Sequence, residues 1–166
     1  AILELEGDMT LYAQWQIWNG WLTDELGRQY YKNGELQRTG WTEIDGETYY
    51  LHPETGYAAT GIHKLTPEGA AEEARCVFDA NGAFQKNVTG VYDVGADTYW
   101  LNSGIIEEKA GLKRVIRDGG EVNYYYFGED GKAYKATEET DEYVIEKTNG
   151  HGLPAGNRYR FDENGV

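Results

Sequence analysis

The side chains best suited to holding a ligand in this sequence are aromatic, and they recur in a fixed context. Trp21 and Trp41 each follow a glycine, in "GWLTDELGRQYYKNGELQRT" (20–39) and "GWTEIDGETYYLHPETGYAAT" (40–60). Each is followed by an aromatic pair, Tyr30-Tyr31 and Tyr49-Tyr50. The pair recurs as Tyr99-Trp100 in "GVYDVGADTYWLNSGIIEEKA" (90–110), and Tyr124 stands directly before Tyr125-Tyr126. Aromatic faces stack on sugar rings, and acidic or amide side chains beside them can hydrogen-bond the hydroxyls. The same rings also fill sheets and cores. Both roles are open for these nine candidates: Trp21, Tyr30, Tyr31, Trp41, Tyr49, Tyr50, Tyr99, Trp100 and Tyr124.

Other chemistry has little support. Asp45, Glu54, Asp79, Asp130 and Asp162 sit in predicted turns, where Asp and Glu are common for conformational reasons. No pair of them stands out as a general acid and base. His52, His63 and His151 lack metal-ligand spacing, and Cys76 is the single cysteine. It occupies a place where other units carry a strand aromatic, so a buried thiol is expected. There is no nucleophile elbow, no phosphate-cradling glycine loop and no calcium loop. The expectation is no catalytic residue, no metal and no cofactor.

The elements that must position the rings follow from a repeat. Unit openings fall at Gly20, Gly40, Gly61, Gly90, Gly111 and Glu138, dividing the chain into 20–39, 40–60, 61–89, 90–110, 111–137 and 138–166. The long units share the tails "FDANG", "FGEDG" and "FDENG". Asn-Gly at 33–34 and 81–82 and Asp-Gly at 45–46 and 130–131 are tight-turn signals. Aromatic and β-branched runs between such turns predict one β-hairpin per unit. A lone hairpin is barely stable in water, so the units must stack. Alternation sends Tyr49 and Tyr50 to opposite faces, and only one can enter a given core. The stretch "TPEGAAEEARC" (66–76) has weak helix-start signals and is read as a decorated loop. Residues 1–19 lack the repeat pattern and are assigned to the closing strands of a preceding module.

Composition narrows the partners. Tyr is 14 and Gly 22 of 166 residues, and the formal net charge is -14. A surface this acidic repels phosphate backbones and anionic membranes. No run of apolar residues is long enough for a transmembrane helix. The expectation is no nucleic acid and no membrane insertion. The chain starts and stops in mid-pattern, as a segment of a longer protein would.

The repeat resembles the cell-wall-binding, or choline-binding, repeat family of bacterial surface proteins, with related repeats in glucan-binding tails and clostridial toxin tails. The resemblance is strongest over "GWTEIDGETYYLHPETGYAATG" (40–61) and extends to "GWLTDELGRQYYKNGELQRTG" (20–40) and "YYYFGEDGKAYKAT" (124–137). "GDMTLYAQW" (7–15) resembles the closing strand of a Listeria–Bacteroides repeat. Together these imply a β-solenoid of cell-wall-binding type in a secreted, wall-associated protein of a Gram-positive bacterium.

The family's choline cage uses the Trp after the opening glycine, an aromatic just before the Tyr pair, and a ring from the next unit, acting by cation–π attraction. Carried over residue by residue, the first position is Trp21, Trp41, Ile62, Val91 or Leu112. The second is Gln29, Thr48, Thr98 or Tyr124. No unit supplies both rings, which weakens the choline reading. The resulting expectation is an all-β array of stacked hairpins with no enzymatic activity of its own. Its partner would be a cell-wall polymer or surface glycan. A purely structural stalk is the first alternative and choline binding the second.

Overall fold

The computed structural model describes residues 18–116, 119–137, 139–140, 142–144 and 156–166. The Listeria–Bacteroides-like stretch at 7–15 and most of 138–155 lie outside the described residues. All regular structure among those described is β. The first repeat forms β1 (Gly20–Asp24), β2 (Gly27–Lys32) and β3 (Glu35–Leu36); the second forms β4 (Gly40–Ile44) and β5 (Glu47–Leu51). The third forms β6 (Gly61–Leu65) and β7 (Ala74–Phe78). The fourth forms β8 (Gly90–Val94), β9 (Asp97–Asn102) and β10 (Ile105–Ile106), and the fifth β11 (Gly111–Ile116) and β12 (Val122–Phe127). β13 (Glu142–Val144) and β14 (Arg158–Arg160) pair antiparallel at the C-terminal end. The opening glycines of five units are thus the first residues of five strands.

Turn chemistry explains the hairpins. Asn33-Gly34 and Asp45-Gly46 hold both residues at positive φ (54° and 77°, 53° and 86°), the geometry that matches strand twist. The stretch at 66–73 is a loop with one turn bond, from the Ala70 N–H to the Pro67 carbonyl at 3.0 Å.

Hairpins become an array through their tails. After its second strand, a unit turns and lays a short segment between that strand and the hairpin before it. Tyr57 bridges Gln29, Ala58 bridges Leu51, and the Ala58 N–H donates to the Arg28 carbonyl at 2.8 Å. Phe84 bridges Phe78 while its N–H donates to the Thr48 carbonyl at 2.7 Å. Ile105 pairs with Cys76, and the Val77 N–H donates to the Gly104 carbonyl at 2.9 Å. Ala133 bridges Phe127, and its N–H donates to the Thr98 carbonyl at 2.8 Å. This step joins β6, β7, β10, β9 and β8 into one sheet.

The "FDANG"-type tails build the turn that precedes this step. Asp79 Oδ1 accepts the Asn81 and Ala83 N–H groups at 2.8 Å each, and Asp162 Oδ1 accepts those of Asn164 and Val166 at 2.9 and 2.8 Å. The closing glycine is where neighbouring units touch. A Cβ on Gly104 would lie 2.6 Å from the Gln85 carbonyl carbon, and one on Gly82 would lie 2.9 Å from Ala58 Cβ. Gly56, Gly131 and Gly165 meet the preceding tail in the same way. At Gly34, whose N–H donates to the Trp18 carbonyl at 2.8 Å, no described atom lies within 4 Å of such a Cβ.

Register sets which side chains are equivalent. The residues opposite the opening glycines are Tyr31, Leu51, Phe78, Leu101 and Phe127. Opposite the next position stand Tyr30, Tyr50, Val77, Trp100 and Tyr126. Tyr30 therefore matches Tyr50, not Tyr49, because the first hairpin carries one more residue before its pair. The sequence alignment by Tyr pairs is corrected by one residue in the first unit.

From the second to the fifth unit, the second strand of each hairpin buries one face. Tyr49 and Leu51, Cys76 and Phe78, Tyr99 and Leu101, and Tyr125 and Phe127 are all at most 8% exposed. They face the preceding hairpin: Tyr49 and Leu51 pack with Trp21 and Tyr30, and Cys76 and Phe78 with Trp41 and Tyr50. Val77 faces the other way, into a cluster with Tyr99, Leu101 and Ile106.

Two side-chain latches add to the tails. The Tyr57 hydroxyl donates to Asp24 Oδ2 at 2.8 Å, and Lys132 Nζ lies 2.7 Å from Asp97 Oδ2. The hydrogen bond from Lys132 is the main cause of the lowered pKa of Asp97.

Substituting Gly104→Ala should cost about 2 kcal/mol or more, since positive φ and backbone contact both oppose a Cβ. Gly34→Ala should cost about 1 kcal/mol, from φ alone. Equal losses in urea denaturation would remove the close-approach argument. Asp97, lowered when folded, contributes stability that is fully present above its unfolded pKa of about 3.9 and is lost as pH falls through the folded value. The stability difference between wild type and Asp97→Asn should therefore persist at neutral pH and vanish in acid, as followed by denaturation midpoints across pH.

Candidate functional site

The nine sequence candidates fall into distinct surroundings. Tyr49 and Tyr99 are core residues, at 8% and 3% exposure. Burial raises the pKa of Tyr49. Trp21, half-buried, packs on Tyr30 and Tyr49 with ring centroids 5.2 and 4.7 Å away. Trp41 meets Tyr50, Phe78 and Phe84 at 5.4, 5.7 and 5.2 Å, and its indole N–H donates to the Thr66 carbonyl at 2.7 Å. Tyr31 packs on Trp18 at 5.3 Å, and Trp100 on Phe127 at 6.2 Å. Tyr49 and Tyr50 occupy separate core clusters, as strand alternation requires.

Cations of the chain itself lie over several of these rings. The Arg28 guanidinium sits 4.3 Å from the Trp21 centroid, Arg75 sits 5.3 Å from Tyr99, and Lys113 Nζ lies 4.9 Å from Trp100. A guanidinium over an indole is held by the ring's quadrupole. Arg28 also donates from Nη1 to the Asn81 carbonyl at 2.7 Å, and Arg75 to the Asp130 carbonyl at 2.6 Å. Asn81 and Asp130 are the equivalent residues before Gly82 and Gly131. Each arginine thus ties a strand to a later tail.

The corrected register gives these arginines a meaning the sequence did not show. The position two before Tyr30, Tyr50, Val77, Trp100 and Tyr126 is Arg28, Thr48, Arg75, Thr98 and Tyr124. In the first unit Arg28, and not Gln29, holds the place where the resemblance implied a ring. Thr48 accepts the Lys86 ammonium at 2.8 Å, and Thr98, 3% exposed, donates to Asp93. Only Tyr124 is aromatic at this position, and it is 49% exposed.

Tyr124 opens onto a groove of about 350 Å³ lined by Leu112, Tyr126, Tyr159, Arg160, Phe161 and Val166. Cross-strand pairing places Leu112 opposite Tyr126 and Arg114 opposite Tyr124. Tyr126 is 5% exposed and forms the floor. Arg160 is drawn to Glu142, its Nη2 3.2 Å from Oε1. Four rings and two aliphatic side chains make a wall suited to the flat apolar face of a ligand. Of these residues, the sequence candidates included only Tyr124. Phe161 had a visible signal, the shared "FDENG" tail, but its neighbour Tyr159 had none.

Among the described residues no group of three or more His, Cys, Asp or Glu is placed to hold a metal ion. Cys76 is fully buried, and burial pushes its thiol up to about 11, far from the thiolate that reactivity needs. No helix among the described residues is long and apolar enough to cross a membrane.

Packing and ligand roles separate by mutation. Trp41→Ala should destabilise the fold by about 3 kcal/mol, because it removes a ring from a three-partner cluster. Tyr124→Ala should change stability by less than about 1 kcal/mol, given its exposure. Urea denaturation of the two variants checks this, and a neutral Trp41→Ala would contradict the packing role.

No family model matches the chain, and no curated protein matches it. Among solved structures it is similar to choline binding protein F of Streptococcus pneumoniae, at 22% identity over 89% of this chain and 39% of that one, with a TM-score of 0.49. It is similar to the multimodular pneumococcal cell wall endolysin from phage Cp-1 complexed with choline, at 20% identity over 76% of this chain and 40% of that one, with a TM-score of 0.45. A third likeness is to the modular autolysin LytC of Streptococcus pneumoniae, at 21% identity over 81% of this chain and 28% of that one, with a TM-score of 0.37. The chain spans less than half the length of each of these structures.

Proposed function

We propose that this chain is a noncatalytic repeat module of a secreted bacterial surface protein, and that it attaches to a cell-wall polymer or surface glycan. The observation that carries this reading is the groove of about 350 Å³ beside the exposed Tyr124, walled by Tyr126, Tyr159 and Phe161. Sugar rings present apolar C–H faces that stack on such walls, while tyrosine hydroxyls at the rim bond their polar edges. The acidic surface argues for a neutral polymer over an anionic one.

The stalk reading draws on a different observation. Trp21, Trp41, Tyr49, Tyr50, Tyr99 and Trp100 all contribute to contacts between hairpins. On that reading the rings have no ligand. Choline binding is less favoured at the earlier interfaces, where Arg28, Arg75 and Lys113 already cover aromatic faces.

A glycan and wall-polymer array distinguishes these readings. The expected result is binding to a neutral polymer that weakens about tenfold with Tyr124→Ala, roughly the loss of one stacked ring, with an unchanged melting temperature. Retention on a choline-type matrix with elution by free choline would favour the choline reading. Absence of binding to either surface would leave the stalk.

A further inference from the structure

A second cavity, of about 400 Å³, lies where the β5 end of the second hairpin meets the tail of the third unit. Its character is opposite to that of the aromatic groove. Glu47, Asp79, Asn81, Gln85 and Asn87 supply polar walls, and Tyr49 contributes from below. Tyr49 is 8% exposed, yet its hydroxyl forms no hydrogen bond among the described residues. Its hydroxyl is therefore left for water or for a ligand hydroxyl in the cavity.

The remaining polar groups are solvent-facing, with Glu47, Asn81 and Asn87 exposed and Asp79 and Gln85 half-buried. Asp79 commits Oδ1 to its turn and leaves Oδ2 outside those bonds. Gln85 donates Nε2 to the Ala83 carbonyl and keeps Oε1 as an acceptor. The Glu47 carboxylate and the side-chain amides of Asn81 and Asn87 make no hydrogen bond among the described residues. Two cations stand beside the cavity: Arg28 donates to the carbonyl of the lining Asn81 and lies over Trp21, and Lys86 donates to Thr48.

We propose that this cavity binds one neutral, hydroxyl-rich saccharide unit. A carboxylate accepts two adjacent hydroxyls, and an amide both donates and accepts, so this set recognises a vicinal diol. Two carboxylates line the cavity and no cation does, which weighs against anionic sugars. The volume falls in the range of small-molecule sites. Naming a saccharide rests on the glycan reading above, but the cavity and its residues are different ones.

The test is a titration of the isotope-labelled chain, followed by amide shifts, with maltotriose, tri-N-acetylchitotriose and trigalacturonate as probes. The expected result is shifts at Asn81 and Asn87 with at least one neutral trisaccharide and none with trigalacturonate. Glu47→Gln and Tyr49→Phe, which keep shape and ring, should each weaken that binding about fivefold, the worth of one hydrogen bond. Tyr124→Ala should leave it unchanged, so loss of the aromatic groove does not imitate loss of this site. The proposal is overturned if neither neutral probe shifts Asn81 and Asn87, if the anionic probe binds equally well, or if both cavity variants bind as wild type.

Discussion

The hydrogen bond that ties the tail of one repeat to the second strand of the repeat before it is what the rest of this structure depends on. A two-stranded hairpin exposes both faces and buries too little to hold itself. The tail inserts a third segment and shares its backbone donors and acceptors with two hairpins at once. Ala58, Phe84 and Ala133 each bridge their own strand and donate to the preceding one. The geometry works only if the chain turns sharply and comes within contact distance of the previous tail. That is the common reason for Gly56, Gly82, Gly104, Gly131 and Gly165, where a Cβ would meet preceding atoms at 2.5 to 2.9 Å.

Once hairpins stack, strand alternation decides what the aromatic residues do. A strand in the middle of an array has no solvent face, so both members of a Tyr pair are drawn into contacts. Tyr49 looks back to Trp21, and Tyr50 looks across to Trp41. Burying an aromatic ring contributes roughly 1.5–3 kcal/mol, which a repeat of small hairpins needs at every interface. Ligand-binding capacity is left where stacking does not consume the ring. Tyr124, near the end of the described array, is such a place.

Charge follows the same division. Basic residues number 15 against 29 acidic ones, and several of the basic ones tie units together. Arg28 and Arg75 join a ring to a later tail, while Lys132 and Lys135 reach from the fifth unit to Asp97 and the Ala96 carbonyl in the fourth. These contacts oppose the self-repulsion of a chain with a net charge of -14. They also place cations over the aromatic faces that an external cation would need.

Local chemistry was legible in the sequence. Asn-Gly and Asp-Gly favour positive φ, and 33–34 and 45–46 are hairpin tips, whereas Asn81 and Asp130 are not at positive φ; alternation separated Tyr49 from Tyr50; and Cys76, in the strand place of Tyr49, Tyr99 and Tyr125, is buried. Each of these depends on residues a few positions apart. What the sequence could not determine was register and company. The Tyr pair of the first hairpin sits one residue later than that of the second, which puts Arg28 in the place that counting from the pair gave to Gln29. The partners of the tail glycines lie on another unit, as do Tyr159 and Phe161 in the Tyr124 groove and Trp21 and Tyr30 beside Tyr49. Those neighbours are chosen by backbone pairing between repeats. The amino-acid pattern therefore determined that the chain makes stacked hairpins, and only the tertiary structure decided which rings are glue and which face open space.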